Sequence, residues 1–242
     1  MSDRIHAFRR RGNNGAAKLP GAPGGRAIRV LLVDDHPAII RALTDVLDVT
    51  PGIDVIGDAA TISQALSLLD QLEPDVAVVD IRLRDGYGLD LIQHTKTGHP
   101  NTHVVVFSMY AEEIFAERAV RAGAKGYVMK TEPTRHVIDA IRGAMVGEVY
   151  VSQRVAVKIL SALSSGKSPT RSRIESFTDR EMAVFQLIGD GVSIESIATQ
   201  LRLSRKTVET YRRRAREKLG LETVEDLLRY AVNWSRGKAE AI

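Results

Sequence analysis

Five apolar runs of strand length alternate with five helical patterns between residues 29 and 145. The runs are Arg29–Val33, Ile53–Gly57, Val76–Val79, Thr102–Phe107 and Gly126–Met129. Helical spacing fills Ala38–Val49, Ile62–Leu72, Leu89–Thr97, Glu112–Ala122 and Pro133–Met145, with Pro133 suited to a helix start and Gly123 to a left-handed helix end. Strands that are apolar along their whole length need cover on both faces, which predicts a parallel sheet. Strand–helix alternation then predicts a doubly wound five-stranded parallel sheet, an α/β fold.

In such sheets the functional groups gather beyond the carboxyl ends of the strands. The first strand ends at Asp34-Asp35, the third at Asp80, the fourth at Ser108, and the fifth just before Lys130. Singly, each has an ordinary use: a solvated loop acid, a helix cap for Ser108, a surface ammonium for Lys130. Together they place three carboxylates, a hydroxyl and an ammonium on one rim. Clustered carboxylates repel, and a hard divalent cation relieves them; Mg²⁺ suits two or three carboxylates plus a phosphoryl oxygen. This set predicts a phosphoryl acceptor, with Asp80 as nucleophile and Lys130 and Mg²⁺ countering the charge of the transferred group.

Residues 28–147 resemble the receiver domain of two-component response regulators. The resemblance rests on Leu31-Leu32-Val33-Asp34-Asp35-His36, Asp75-Val76-Ala77-Val78-Val79-Asp80, Val105-Val106-Phe107-Ser108 and Gly123-Ala124-Lys125-Gly126-Tyr127-Val128-Met129-Lys130. It implies that Asp80 takes a phosphoryl group from a histidine kinase. It also implies that Asp35, Asp80 and the backbone carbonyl of Arg82 bind Mg²⁺ directly, with Asp34 acting through water. Ser108 and Lys130 would contact the phosphoryl oxygens. Ser108 and Tyr127 would form the switch, the ring turning inward as Ser108 moves. Arg84 stands where many receivers carry proline, and Gly86-Tyr87-Gly88 reads only as a turn.

Charge is segregated along the chain. Residues 1–28 carry six basic side chains against one acidic, residues 29–150 eleven against eighteen, and residues 151–176 five against one. Residues 1–27 read as a disordered basic tail, either an inert extension or an auxiliary nucleic-acid arm. Residues 148–176 read as a helix over 151–163 followed by a flexible linker, and 177–242 as a separate small all-α domain.

That last segment opens with a capping box, Thr178 to Glu181, before an apolar helix. Ser193 caps a short second helix, the turn Arg202-Leu203 follows, and Ser204 caps a third that Gly220 ends. Thr223 caps a fourth. Residues 204–218 hold seven basic side chains against two acidic. A basic, capped helix after a short helix and tight turn has the form of a major-groove reader.

Residues 177–235 resemble the LuxR-type (NarL/FixJ-like) four-helix helix-turn-helix domain, through Phe177-Thr178-Asp179-Arg180-Glu181 and the run from Leu203 to Gly220. By position, Glu209, Thr210 and Arg213 would face bases of double-stranded DNA. Arg205, Lys206, Thr207, Tyr211 and Arg212 would reach phosphates, and Arg216 shares their basic face. Glu209 either accepts a hydrogen bond from cytosine N4 or pairs with Arg213 four residues on. The fourth helix resembles the family's dimerisation helix, which makes Val224, Leu227 and Leu228 the expected contacts of a phosphorylation-dependent homodimer.

The chain has no cysteine, which excludes disulfides and thiolate chemistry, and no apolar run long enough for a membrane helix. These features fit a cytoplasmic protein. No independent enzyme motif is present. The reading is a transcriptional response regulator. The alternatives are a DNA-binding regulator whose receiver phosphate does not switch, and a phosphotransfer intermediate that docks proteins.

Overall fold

The computed structural model describes residues 26–165, 173–201 and 203–235. The tail up to residue 25, linker residues 166–172 and Arg202 of the expected turn lie outside the described residues. The chain forms two compact units, with the main break between Val155 and Ala156.

The first unit contains β1 (Ile28–Val33), α1 (Pro37–Asp48), β2 (Ile53–Ala59), α2 (Ile62–Leu72) and β3 (Val76–Val79). After these come β4 (Arg82–Leu83), β5 (Gly86–Tyr87), α3 (Gly88–Gly98), β6 (His103–Ser108), α4 (Glu112–Ala122), β7 (Gly126–Met129) and α5 (Arg135–Met145). The main sheet has the order β2-β1-β3-β6-β7, and every pairing is parallel. Val30 to Val33, Val76 to Val79 and Val104 to Phe107 are buried, as a sheet covered on both faces requires. Helix α5 packs Val137, Ala140, Ile141 and Ala144 onto one face of the sheet, beside Leu43 and Leu47 of α1.

Three details differ from the sequence reading. Helix α5 begins at Arg135; Pro133 lies in the turn before it, where its carbonyl accepts from His136 N–H. Gly86-Tyr87, read as a bare turn, pairs with Arg82-Leu83 as a two-stranded ribbon. The receiver's hydrogen bonding also runs past residue 147. Tyr150 bridges Gly126, with Tyr127 N–H donating to Tyr150 O and Tyr150 N–H to Lys125 O, both at 2.8 Å. Gly123, by contrast, ends α4 with φ +126° as expected.

Helix α6 spans Gln153–Ser165, close to the expected 151–163. The second unit continues with α7 (Asp179–Gly189), α8 (Ile194–Gln200), α9 (Arg205–Leu219) and α10 (Val224–Ser235). Thr178 and Glu181 form the full capping box of α7. Ser193 and Ser204 cap α8 and α9 through the N–H groups of Ser196 and Thr207. Thr223 Oγ1 accepts from Asp226 N–H at 3.1 Å, capping α10. Phe185 is the core anchor, with the rings of Phe177, Tyr230 and Trp234 centred 5.3, 6.2 and 5.4 Å away. Gly189 lets α10 approach closely: a Cβ there would lie 2.5 Å from Ala231 O.

Candidate functional site

The parallel sheet delivers Asp34, Asp80, Ser108 and Lys130 to one rim because each directly follows or ends one of four neighbouring strands. The order β1-β3-β6-β7 then sets them side by side. Lys130 is locked in by its own backbone, whose N–H donates to Ser108 O at 2.8 Å.

Ser108 Oγ donates to Asp80 Oδ1 at 2.7 Å, and Lys130 Nζ donates to Asp80 Oδ2 at 2.6 Å. The same ammonium lies 2.6 Å from Asp34 Oδ2. Ser108 therefore does not cap the next helix; Ala111 occupies that position. Burial pushes the Asp80 carboxyl upward, and Lys130 and Ser108 pull it down without cancelling the push. Burial also works against the Lys130 ammonium, but the two carboxylates outweigh it and hold Lys130 above its ordinary value.

Ligand atoms of Asp34, Asp35, His36 and Asp80 all lie within 4.8 Å of one another. Asp35 Oδ1 is a buried oxygen with no hydrogen bond. Three carboxylates crowd one spot here, with the Lys130 ammonium and the His36 ring beside them, and such a cluster suits a hard cation, so the donor set fits Mg²⁺. Arg82 lies two residues beyond Asp80, at the start of β4. The close return of the chain depends on Gly88, where a Cβ would sit 2.2 Å from Asp80 O. Tyr127 is buried, with its hydroxyl donating to Tyr110 O at 2.9 Å, and burial raises it well above the usual phenol range.

Two residues at this rim were given no site role from the sequence. Arg84 Nη2 donates to Asp35 O at 3.2 Å, bracing the loop that carries two of the acids. His36 faces the same carboxylates. A polar residue at each position was visible in the sequence, but its orientation was not.

On α9, Val208, Ala215 and Leu219 face the core. Lys206, Glu209, Thr210, Arg212, Arg213 and Arg216 line a groove of about 360 Å³ closed by Val224 and Leu227 of α10. Thr207 and Tyr211 are half-buried on the same helix. Arg205 pairs with Glu195 of α8 at 3.0 Å and with Glu209 at 3.2 Å. The intrahelical partner of Glu209 is thus Arg205 and not Arg213, which pairs with Glu217 at 2.9 Å. Arg205 is the residue that α8 also holds, and that second carboxylate fixes its direction. Lys218 is withdrawn from the basic face: it bonds buried Glu181 at 2.6 Å and Ser176 O at 2.9 Å. That contact and the capping hydrogen bonds hold Glu181 below the usual carboxylate range against the opposing effect of burial.

One expectation fails. Leu227 is fully buried in its own domain, so it cannot meet a second copy; Leu228 is exposed and Val224 half-buried. The apolar stripe of α10 serves first as core, because it packs against α7.

A doubly wound sheet with an acid, hydroxyl and ammonium rim, in a chain that also carries a basic helix-turn-helix, defines a phosphoacceptor joined to a nucleic-acid reader. Residues 30–142 match the response regulator receiver domain, and residues 175–231 match the bacterial regulatory proteins of the luxR family. The DNA-binding transcriptional activator DevR/DosR of Mycobacterium tuberculosis is 30% identical over 87% of this chain and 97% of its own length. The response regulator GacA of Pseudomonas aeruginosa is 33% identical over 85% of this chain and 95% of its own. RcsB of Salmonella enterica serovar Typhimurium, solved bound to a promoter in the presence of the phosphomimetic BeF3⁻, shares the fold. Its TM-score is 0.66 at 22% identity, over 85% of this chain and 98% of the other. The chain belongs to the two-component response regulators that join a receiver domain to a luxR-type DNA-binding domain. No helix among the described residues is long and apolar enough to cross a membrane.

Proposed function

We propose that Asp80 accepts a phosphoryl group from a histidine kinase, and that this event controls dimerisation and sequence-specific binding of α9 to double-stranded DNA. The observation that carries the reading is the convergence of Ser108 Oγ and Lys130 Nζ on the two oxygens of one buried carboxylate, at 2.7 and 2.6 Å.

An Asp80 oxygen attacks phosphorus, the bond from phosphorus to the donor imidazole nitrogen breaks, and its electron pair stays on that nitrogen. Lys130 neutralises charge on the transferred group, and Ser108 donates to one of its oxygens. Asp34, Asp35, Asp80 and the Arg82 carbonyl are the groups that would hold Mg²⁺, which when bound supplies further charge neutralisation. Ser108 leaves Asp80 for the phosphoryl group, and Tyr127, already inside, holds the new position. In the second unit, Glu209, Thr210 and Arg213 face base edges, while Arg205, Lys206, Thr207, Tyr211, Arg212 and Arg216 track phosphates. Val224 and Leu228 remain as dimer contacts on α10. A reader of chromosomal DNA acts in the cytoplasm. The activator role of the mycobacterial relative and the promoter-bound RcsB support this reading.

Light-scattering mass with and without Mg²⁺ and beryllofluoride tests it, with wild type and Asp80→Asn side by side. A monomer-to-dimer shift in wild type alone is expected, followed by protection of a DNA site by the dimer. Unchanged mass and unchanged DNA protection in both proteins would favour a regulator that phosphate does not switch.

A further inference from the structure

Glu112 is a buried acid that the phosphoacceptor chemistry leaves without a task. It opens α4, and only residues 109–111 separate it from Ser108. Its Oε1 reaches a partner forty residues along the chain, accepting from the Ser152 backbone N–H at 2.6 Å. Ser152 directly precedes α6, and its Oγ accepts from Val155 N–H at 3.3 Å, so the same residue sets the first turn of that helix. Burying a carboxylate is costly unless it is hydrogen-bonded, and hydrogen bonds to a charged acceptor are the strong ones.

The strand that carries the switch ring holds the same short segment a second time. Tyr127 N–H donates to Tyr150 O, and Tyr150 N–H to Lys125 O. Tyr150 packs so closely on β7 that a Cβ at Gly126 would stand 3.3 Å from the Tyr150 Cβ. The Tyr127 hydroxyl donates to Tyr110 O, in the loop between Ser108 and Glu112. The Tyr110 ring rests on Phe115 of α4, the two centroids 5.4 Å apart. Contacts and chain thus run without a gap from Asp80 through Ser108 to loop 109–111, and from that loop through Glu112 to the start of α6.

We propose that Glu112 is a latch that fastens the start of α6 to the resting receiver, and that phosphorylation of Asp80 opens it. The proposal rests on the reading of Asp80 as phosphoacceptor. It adds the contact by which the state of the acceptor reaches the segment that leads to the DNA-binding unit. One loop serves both ends of the path, which makes it the element that the two sites bias. Ser108, moving onto a phosphoryl group, draws residues 109–111 with it and takes Glu112 from Ser152. The Ser152 N–H then turns to water and the first turn of α6 loosens. Tyr150 stays paired with β7, so the opening is confined to the residues that follow it.

The test uses the full-length protein as wild type, Glu112→Ala and Glu112→Gln. Amide hydrogen exchange is read by NMR with Mg²⁺ alone and with Mg²⁺ and beryllofluoride. In wild type, beryllofluoride is expected to speed exchange at Ser152 and Val155 about ten-fold, the lower end of what a hydrogen bond to a charged group is worth, and to leave Tyr150 unchanged. Glu112→Ala is expected to exchange at both amides about ten-fold faster than wild type before beryllofluoride is added, with no further change after it. Glu112→Gln keeps an acceptor oxygen without the charge and is expected to fall between the two; it carries the comparison if the alanine variant folds poorly. Shifts of the Ser108 and Lys130 amides report loading of the pocket in every sample. A loaded wild-type pocket with unchanged Ser152 exchange, or resting Ser152 exchange equal in wild type and both variants, overturns the latch and leaves the phosphoacceptor standing. Ser108 and Lys130 amides that do not respond in wild type overturn the phosphoacceptor reading, and the latch with it.

Discussion

Replacing Lys130 with Met keeps the length of the side chain and removes its charge. In the folded receiver that charge is 3% exposed and touches two carboxylates, each at 2.6 Å. At an effective dielectric near 20, each contact is worth about 6 kcal/mol of attraction. Burying an ammonium costs several kcal/mol, so the net effect of removing one partner of such a set is about 3–5 kcal/mol. The penalty depends on pH, and its sign follows from Asp80. Burial already raises that carboxyl, and losing Lys130 removes the largest opposing influence. A carboxyl whose folded value lies above its unfolded value of about 4 weakens the fold only above that pH. Lys130→Met is therefore expected to sit near wild type at pH 4 and to lose about 3–5 kcal/mol by pH 8. Mg²⁺ at a hundredfold excess over its dissociation constant should return about 2.7 kcal/mol. Hydrogen exchange of the β1 and β3 amides measures the opening free energy of this unit separately from the helical one. A difference under about 1 kcal/mol at pH 8 without divalent ions would refute the claim that Lys130 holds these acids together.

Gly88→Ala would place a Cβ 2.2 Å from Asp80 O, so acceptor-loop strain should slow phosphorylation from acetyl phosphate and lower receiver stability by about 1–3 kcal/mol, both readable on one protein sample. Leu227→Ala should cost about 2–5 kcal/mol in urea unfolding followed by Trp234 fluorescence, because Leu227 is core. Leu228→Ala should leave that unfolding within about 0.5 kcal/mol and weaken the dimer instead. Glu181→Gln breaks the contact with Lys218 and weakens the α7 cap, so about 1–3 kcal/mol should be lost at pH 7. Glu181 is depressed in the fold, so its contribution is present above the unfolded glutamate value of about 4.3. The gap between wild type and variant should therefore close as pH falls below that value, which thermal melts at stepped pH would follow.

The sheet was legible because parallel strands leave a simple trace: runs with no polar interruption, each ending in the residue that works. Val76–Val79 and Gly126–Met129 agree with the structure to the residue. The pocket was legible for the same reason, since strand order and strand ends suffice to bring Asp80, Ser108 and Lys130 together. What remained hidden depended on tertiary choice. The α10 stripe shows that a face is apolar and not whether α7 or a second copy covers it, so Leu227 was misread. Glu209 has a cation four residues away on both sides. The preferred order, acid before base, pointed to Arg213. The structure selects Arg205, which α8 also holds through Glu195. Lys218 counts toward a basic helix in any tally, yet it serves a buried acid on α7. His36 and Arg84 carried no periodic or spacing signal, because their roles depend on how two loops meet above the strands.

The basic helix is less available to DNA than its composition suggests, and the difference has a physical use. Of its cations, Arg205 and Arg213 are held by carboxylates and Lys218 is structural. Among the described residues, no carboxylate pairs with Lys206, Arg212 or Arg216. On the proposed function these three would meet phosphate without breaking an ion pair, and would supply the sequence-independent, salt-sensitive part of binding. Arg205 and Arg213 must leave Glu209 and Glu217 first. Exposed pairs of this kind are worth about 0–1 kcal/mol, so a phosphate or a guanine edge can displace them at little cost. On the same reading the freed Glu209 would face the duplex, where it is tolerated only against a donor such as cytosine N4. A wrong base leaves that acid unpaired beside the backbone charge. If α9 reads DNA as proposed, its ion pairs would act less as stabilisers of the helix than as a threshold, passed where the sequence in the groove offers both arginine and glutamate a partner.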